Sequence, residues 1–213
     1  MSLVAQLTAA RTTIQRIGQP ILFTVGMIGT LLNIGIFCRR TMRQNSCAWY
    51  FHANSWANLI CLTWGVLASM LATFTRNNPA TYNEAYCKIR YFMINFGQYL
   101  SRIFLVLACL DRLLLCSTSV RQRNFCRPKI AQKLIIITLL FSALASIHVP
   151  ITYKIDSNIV CGTTIPFLVI YETVSIWLFL LFAPALLMSI FSVLILIKLK
   201  QNAKRVGRDH VRL

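Results

Sequence analysis

Five apolar runs, each about a membrane's thickness or longer as a helix, dominate this chain and limit what it can become. They lie at 20–38, 46–73, 86–116, 134–153 and 164–199. A helix needs about 20 apolar residues to cross a hydrocarbon core of about 30 Å. The 213 residues are 57% hydrophobic and 13% charged, where an ordinary soluble domain carries about 25% charged residues. The expected fold class is therefore an all-α membrane protein with five transmembrane helices. Residues 1–19 form a short N-terminal segment, 20–200 a membrane domain and 201–213 a basic tail.

The basic residues orient the bundle. Arg39, Arg40 and Arg43 follow the first run, and Arg121, Arg123, Arg127, Lys129 and Lys133 follow the third. Lys198, Lys200, Lys204, Arg205, Arg208 and Arg212 close the fifth. The alternate segments hold only Arg11 and Arg16, Arg76, and Lys154. Basic loops stay on the cytoplasmic side, so the N-terminus is expected outside and the C-terminus inside. The net charge of +17 is thus divided among loops. It does not form the basic face of a nucleic-acid binder, and no nucleic-acid partner is expected.

The third run carries two marks. Cys87 stands near its start and Asp111-Arg112 near its end. At 1.5 Å per residue the stretch between them rises about 36 Å, enough to place the marks near opposite membrane faces. An acid beside a base is tolerable at an interface and costly at the midplane. Of eight cysteines, only Cys87 and Cys161 fall on the outer side in this topology. Disulfides persist in the oxidising compartment, so these two are the candidate pair, with two separate free thiols as the alternative reading.

The outer cysteine, the Asp-Arg pair 24 residues later and a second cysteine before the fifth run together resemble a rhodopsin-like (class A) G protein-coupled receptor. Pro184 matches the family's fifth-helix proline. The runs CKIRYF and LACLDRLLLCSTSVRQR, with SCAWYF opening the second run, look most like peptide receptors of the FMRFamide type. The resemblance implies a plasma-membrane receptor sensing an extracellular, peptide-like ligand and activating a heterotrimeric G protein. It implies that Asp111 and Arg112 pair as a latch, with Arg112 freed on activation. Ser101 matches a small polar residue of the family's buried sodium pocket, although a hydroxyl bonded back to its own helix would read the same.

The departures are equally specific. Asn58 stands where the family has an acid, so cation binding there is expected to be weak. Gly29-Thr30 replaces Gly-Asn, with Asn33 one turn further on. Leu113 replaces the tyrosine after Asp-Arg, and the fourth-helix tryptophan is missing. Asn33, Asn58, Ser101 and Arg102 are the expected polar core of the bundle. Arg102 fits least: a central arginine costs about 2.5–3.5 kcal/mol on insertion scales, and no acid lies at similar depth. The family has seven helices and five runs are read here. The expectation is a receptor truncated after its fifth helix, whether a fragment, a shortened gene or a five-span relic, whose residues alone do not build a complete G-protein cleft.

No acid occurs near Ile94, where an amine receptor would need one, and Lys88 and Arg90 are candidates to meet an acidic ligand. No phosphate loop, metal-ligand spacing or nucleophile–histidine set is present. No enzymatic activity, cofactor or metal is expected. Two other functions fit the same residues. One is a non-signalling membrane protein that forms homo- or hetero-oligomers with receptors, since small and polar interior faces favour helix association. The other is a small transporter with Arg102 and Asn58 along its path.

Overall fold

The computed structural model describes residues 3–211 except 76, 77, 118, 157, 158 and 164. Five of its helices are long and apolar enough to cross a membrane: Gln15–Phe37, Ser46–Thr75, Glu84–Leu115, Pro128–Thr152 and Pro166–Gln201. These are called the first to fifth spans. Among the described residues the bundle is all-α apart from one hairpin, as the apolar runs require.

Helix boundaries move from the sequence expectation for local reasons. The first helix begins at Leu3, so residues 3–19 extend it and Pro20 lies in its interior, not in its first turn. A proline there donates no backbone hydrogen bond. Thr24 Oγ1 donates to the Pro20 carbonyl oxygen at 2.9 Å. The fourth span starts at Pro128, six residues before the apolar run, because proline at the first helical position sacrifices a donor that would be unpaired anyway. It breaks at Ile147. Pro150 cannot donate to the Ser146 carbonyl, so the ladder lapses one turn before it.

The third span has the best-defined start. Asn83 Oδ1 accepts from the Tyr86 backbone N–H at 3.0 Å, an N-cap that satisfies one of the free donors of the first turn. Glu84 follows, where the helix dipole favours an acid, and it pairs with Lys88 at 2.7 Å. Arg112 sits in the last turn, at the favourable end for a cation.

The third span is the central helix, in contact with the second, fourth and fifth, while the first packs on the second. Cys47, Tyr50, Ala57, Leu100, Phe104, Ala108 and Ala131 form the larger core cluster. Gly97 lets the second and third spans approach closely: a Cβ there would meet Cys61 Sγ at 2.7 Å and the Ala57 carbonyl oxygen at 3.2 Å. Small residues at such contacts are how membrane helices pack without a hydrophobic drive between them. The outward faces carry exposed apolar side chains such as Leu22, Val25, Leu144, Phe167 and Ile170, as a lipid-facing surface requires.

Between the fourth and fifth spans, strands β1 (Lys154–Asp156) and β2 (Ile159–Gly162) pair antiparallel, with Lys154 opposite Gly162. The fifth span contains a π-helical stretch, Ile176–Phe182, directly before Ala183 and Pro184. Pro184 lacks the N–H that an α ladder would direct to Leu180, and the wider turn lies where that bond would fall. The second span has a similar stretch at Leu62–Leu67.

Candidate functional site

The third span lines up three groups of polar side chains along its length. At the Cys87 end, Cys87 is fully buried and bonded to Cys161 of β2, with Cα atoms 6.0 Å apart. The bond ties the hairpin to the head of the third span. Ala80, Val149 and Tyr153 pack around it. Tyr153 Oη lies 2.7 Å from Glu172 Oε2 and 2.9 Å from Oε1, and its one proton is donated to this carboxylate. His148 Nε2 lies 3.3 Å from the same carboxylate. Burial, and then the hydrogen bond to Glu172, hold the Tyr153 phenol well above its ordinary range. Arg90 is buried and donates to Ser69 Oγ at 2.7 Å and to the Trp64 carbonyl at 3.2 Å. It is therefore a strut between the second and third spans, and Lys88 is taken by Glu84. Neither is free to meet an acidic ligand as the sequence suggested, and the half-buried Glu172 has no lysine or arginine partner among the described residues.

In the middle, Ser101 Oγ lies 2.9 Å from Asn54 Oδ1 and 2.9 Å from Asn58 Oδ1. A hydroxyl has one proton to donate, so one of the two amides is turned to donate its NH₂ to Oγ. Ser101 thus bonds across to the second span, not back to its own helix. The structure places Asn58 and Ser101 together and adds Asn54, one turn before Asn58 on the same helix. Asn33 and Arg102 are exposed and stand outside this cluster. The reason for Arg102 is rotational: adjacent helical residues do not share a face, so a buried Ser101 turns Arg102 away. It lines a cavity between the third, fourth and fifth spans, together with the buried Pro184.

At the other end Asp111 is 5% exposed. Ser46 Oγ donates to its Oδ1 at 2.7 Å, and Oδ2 has no hydrogen-bond partner among the described residues. Arg112 is exposed, and its Nε donates to Cys47 Sγ at 3.1 Å. No ion pair joins Asp111 to Arg112 among the described residues. In this arrangement Ser46 of the second span holds Asp111, and Cys47 holds Arg112. Cys126 Sγ donates to the Asp111 backbone oxygen at 3.4 Å. Burial, with Asp111 nearby, pushes the Cys126 thiol up to about 12. Lys198 of the fifth span reaches the Leu113 carbonyl at 3.5 Å.

The family model described as 7 transmembrane receptor (rhodopsin family) matches residues 29–212. The chain belongs to the rhodopsin family of transmembrane receptors. No curated protein matches it. The Cys87–Cys161 bond, the apolar helices and a multi-pass membrane location agree with membership of this receptor family. The contacts that sequence reasoning missed include those of Ser46, Cys47, Asn54 and Cys126, and that of Tyr153 with Glu172. Ser46 and Cys47 open the second span directly after Asn45, and this position at a helix start was the available signal for Ser46.

Proposed function

We propose that this receptor senses an extracellular peptide at the Cys87 end and couples to a heterotrimeric G protein at the Asp111 end. In this reading the N-terminus lies outside the plasma membrane and the C-terminus in the cytoplasm, as the basic loops favour. The observation that carries it is the contrast along one helix. A disulfide-tied hairpin frames a half-buried acid at one end, and an exposed arginine stands beside a half-satisfied aspartate at the other. A two-state element needs side chains whose contacts can be exchanged, and Asp111 Oδ2 and Arg112 supply them. Glu172 favours a peptide with a basic group, an N-terminal ammonium or a guanidinium.

The described residues contain five spans, so the test runs the chain alone and with the family's sixth and seventh helices supplied in trans. Amidated peptides with and without a basic residue are applied to cells, and nucleotide exchange on Gα is measured. Basic peptides are expected to act when those helices are present, and Glu172→Gln to lower their potency roughly tenfold or more, the worth of a charge-assisted bond. Equal response to neutral and basic peptides would remove Glu172 from the reading. No response in any arrangement would remove signalling.

A second reading is a non-signalling partner of other receptors. Asn33 favours it, because an exposed amide within a span promotes helix association in a bilayer. A fall in surface level of a co-expressed receptor, reversed by Asn33→Leu, identifies this case.

A further inference from the structure

Arg102 lies near the middle of the third span, eighteen residues after Glu84 and thirteen before Leu115. At 1.5 Å per residue this is about 4 Å from the helix centre. Its side chain is exposed and makes no hydrogen bond or ion pair among the described residues. It opens on a cavity of about 370 Å³ walled by Tyr99, Phe141, Phe179, Ala183 and Pro184 among others. Small-molecule sites run to roughly 300–1,000 Å³, so the space suits a ligand. An ionised side chain at this depth is unfavourable unless something pairs it, and such residues mark functional positions.

Among the described residues no acid is placed to pair it. Of the chain's five acids, Glu84 is paired with Lys88 and Asp111 accepts from Ser46. Glu172 is held by Tyr153 and His148. Asp156 belongs to the hairpin, and Asp209 lies beyond the fifth span. A ligand that carries its own negative charge would supply what these residues do not. Phospholipid phosphates are poor candidates, since they sit about 15 Å from the midplane of a 30 Å core. A single-chain carboxylic acid reaches the midplane in its neutral form. Once its proton has passed to water, its two oxygens match the guanidinium fork.

We propose that the cavity binds a long-chain carboxylate, with its head on Arg102 and its tail against the aromatic and aliphatic walls. The π-helical stretch Ile176–Phe182 brings Phe179 into that wall, and such widened turns recur at functional sites. The inference is independent of peptide sensing and of G protein coupling.

The test uses the full chain in nanodiscs of phosphatidylcholine, with palmitate and methyl palmitate as probes at neutral pH. Saturable binding of palmitate, with the ester weaker by roughly ten- to a hundredfold, is expected from loss of a charge-assisted pair. Arg102→Gln should weaken palmitate binding by the same factor and leave the ester unchanged. Arg102→Lys, which keeps the charge but loses the fork, should fall between. Ala145→Leu should weaken both probes by filling the cavity. Equal binding of acid and ester would overturn the proposal, because the site would then read only the tail. So would undiminished palmitate binding to Arg102→Gln. Absence of saturable binding to the unaltered chain would overturn it as well, and would assign Arg102 to an acidic side chain of another transmembrane segment.

Discussion

The two ends of the third span are held in opposite ways. At the Cys87 end a covalent bond, a fully buried cysteine and the hydrogen bond from Tyr153 to Glu172 leave little room for rearrangement. At the Asp111 end single contacts from Ser46, Cys47 and Cys126 do the holding, one carboxylate oxygen has no partner among the described residues, and Arg112 faces outward. A closed network resists exchange, whereas a half-satisfied one has a second arrangement within reach. One rigid helix with a locked end and a loosely held end can carry a displacement from the first to the second, which is the physical content of a receptor.

The largest effect should come from unlocking the Cys87 end. The disulfide closes a loop of 74 residues in sequence separation, worth about 4 kcal/mol in an unrestrained chain and less where a bilayer already restrains the spans. Cys87→Ser and Cys161→Ser are each expected to cut surface expression severely, and the double variant no further. Surface labelling of an N-terminal tag checks this. Additive losses would mean that each cysteine matters by itself, and the locked end would no longer be one unit.

This end was also the most legible in the sequence. The disulfide followed from topology and compartment, which depend on where apolar runs and basic loops fall and not on any side-chain geometry. The five spans were legible for the same reason. The Asp111 end was not. Whether Asp111 meets Arg112 or Ser46 depends on how the second span is rotated against the third, and hydropathy is blind to rotation within an apolar run. Asn54 was hidden likewise, since three polar residues within one turn or so of each other, Asn54, Ser55 and Asn58, give no sign of which face inward. Arg102 was legible as an anomaly, but the cavity it serves arises from three helices and could not be read from one.

A smaller effect should come from the Asp111 end, and it tests which contact does the holding. Ser46→Ala leaves the buried Asp111 carboxylate without its donor, and a hydrogen bond to a charged group is worth about 1.5–3 kcal/mol. Arg112→Gln removes a donor from an exposed position and should cost less. Thermal unfolding of the detergent-solubilised chain ranks the two. The reverse order would show that the Asp111–Arg112 pairing, not the Ser46 bond, dominates this end, and would return the latch to its sequence-based form. Asp111→Asn keeps an acceptor for Ser46 while removing the charge. With the sixth and seventh helices supplied, it is expected to raise basal nucleotide exchange.

The smallest effect lies between the two ends. Ser101→Ala removes the hydroxyl shared by Asn54 and Asn58. Hydrogen bonds between membrane helices average about 0.6 kcal/mol in double-mutant cycles, because the unfolded chain in a membrane also finds partners. The two amides lie on the same helix, four residues apart, and can turn toward each other when the hydroxyl is gone. The expected loss is therefore about 0.6 kcal/mol, read as a small shift in the unfolding midpoint, with no change in basal exchange. A loss several times larger would mean that the amides cannot re-pair and that the middle of the helix is as tightly specified as its Cys87 end. A rise in basal exchange would instead join Ser101 to the Asp111 end. In either case the division between locked and loose would fall somewhere other than where the disulfide and the half-satisfied aspartate now place it.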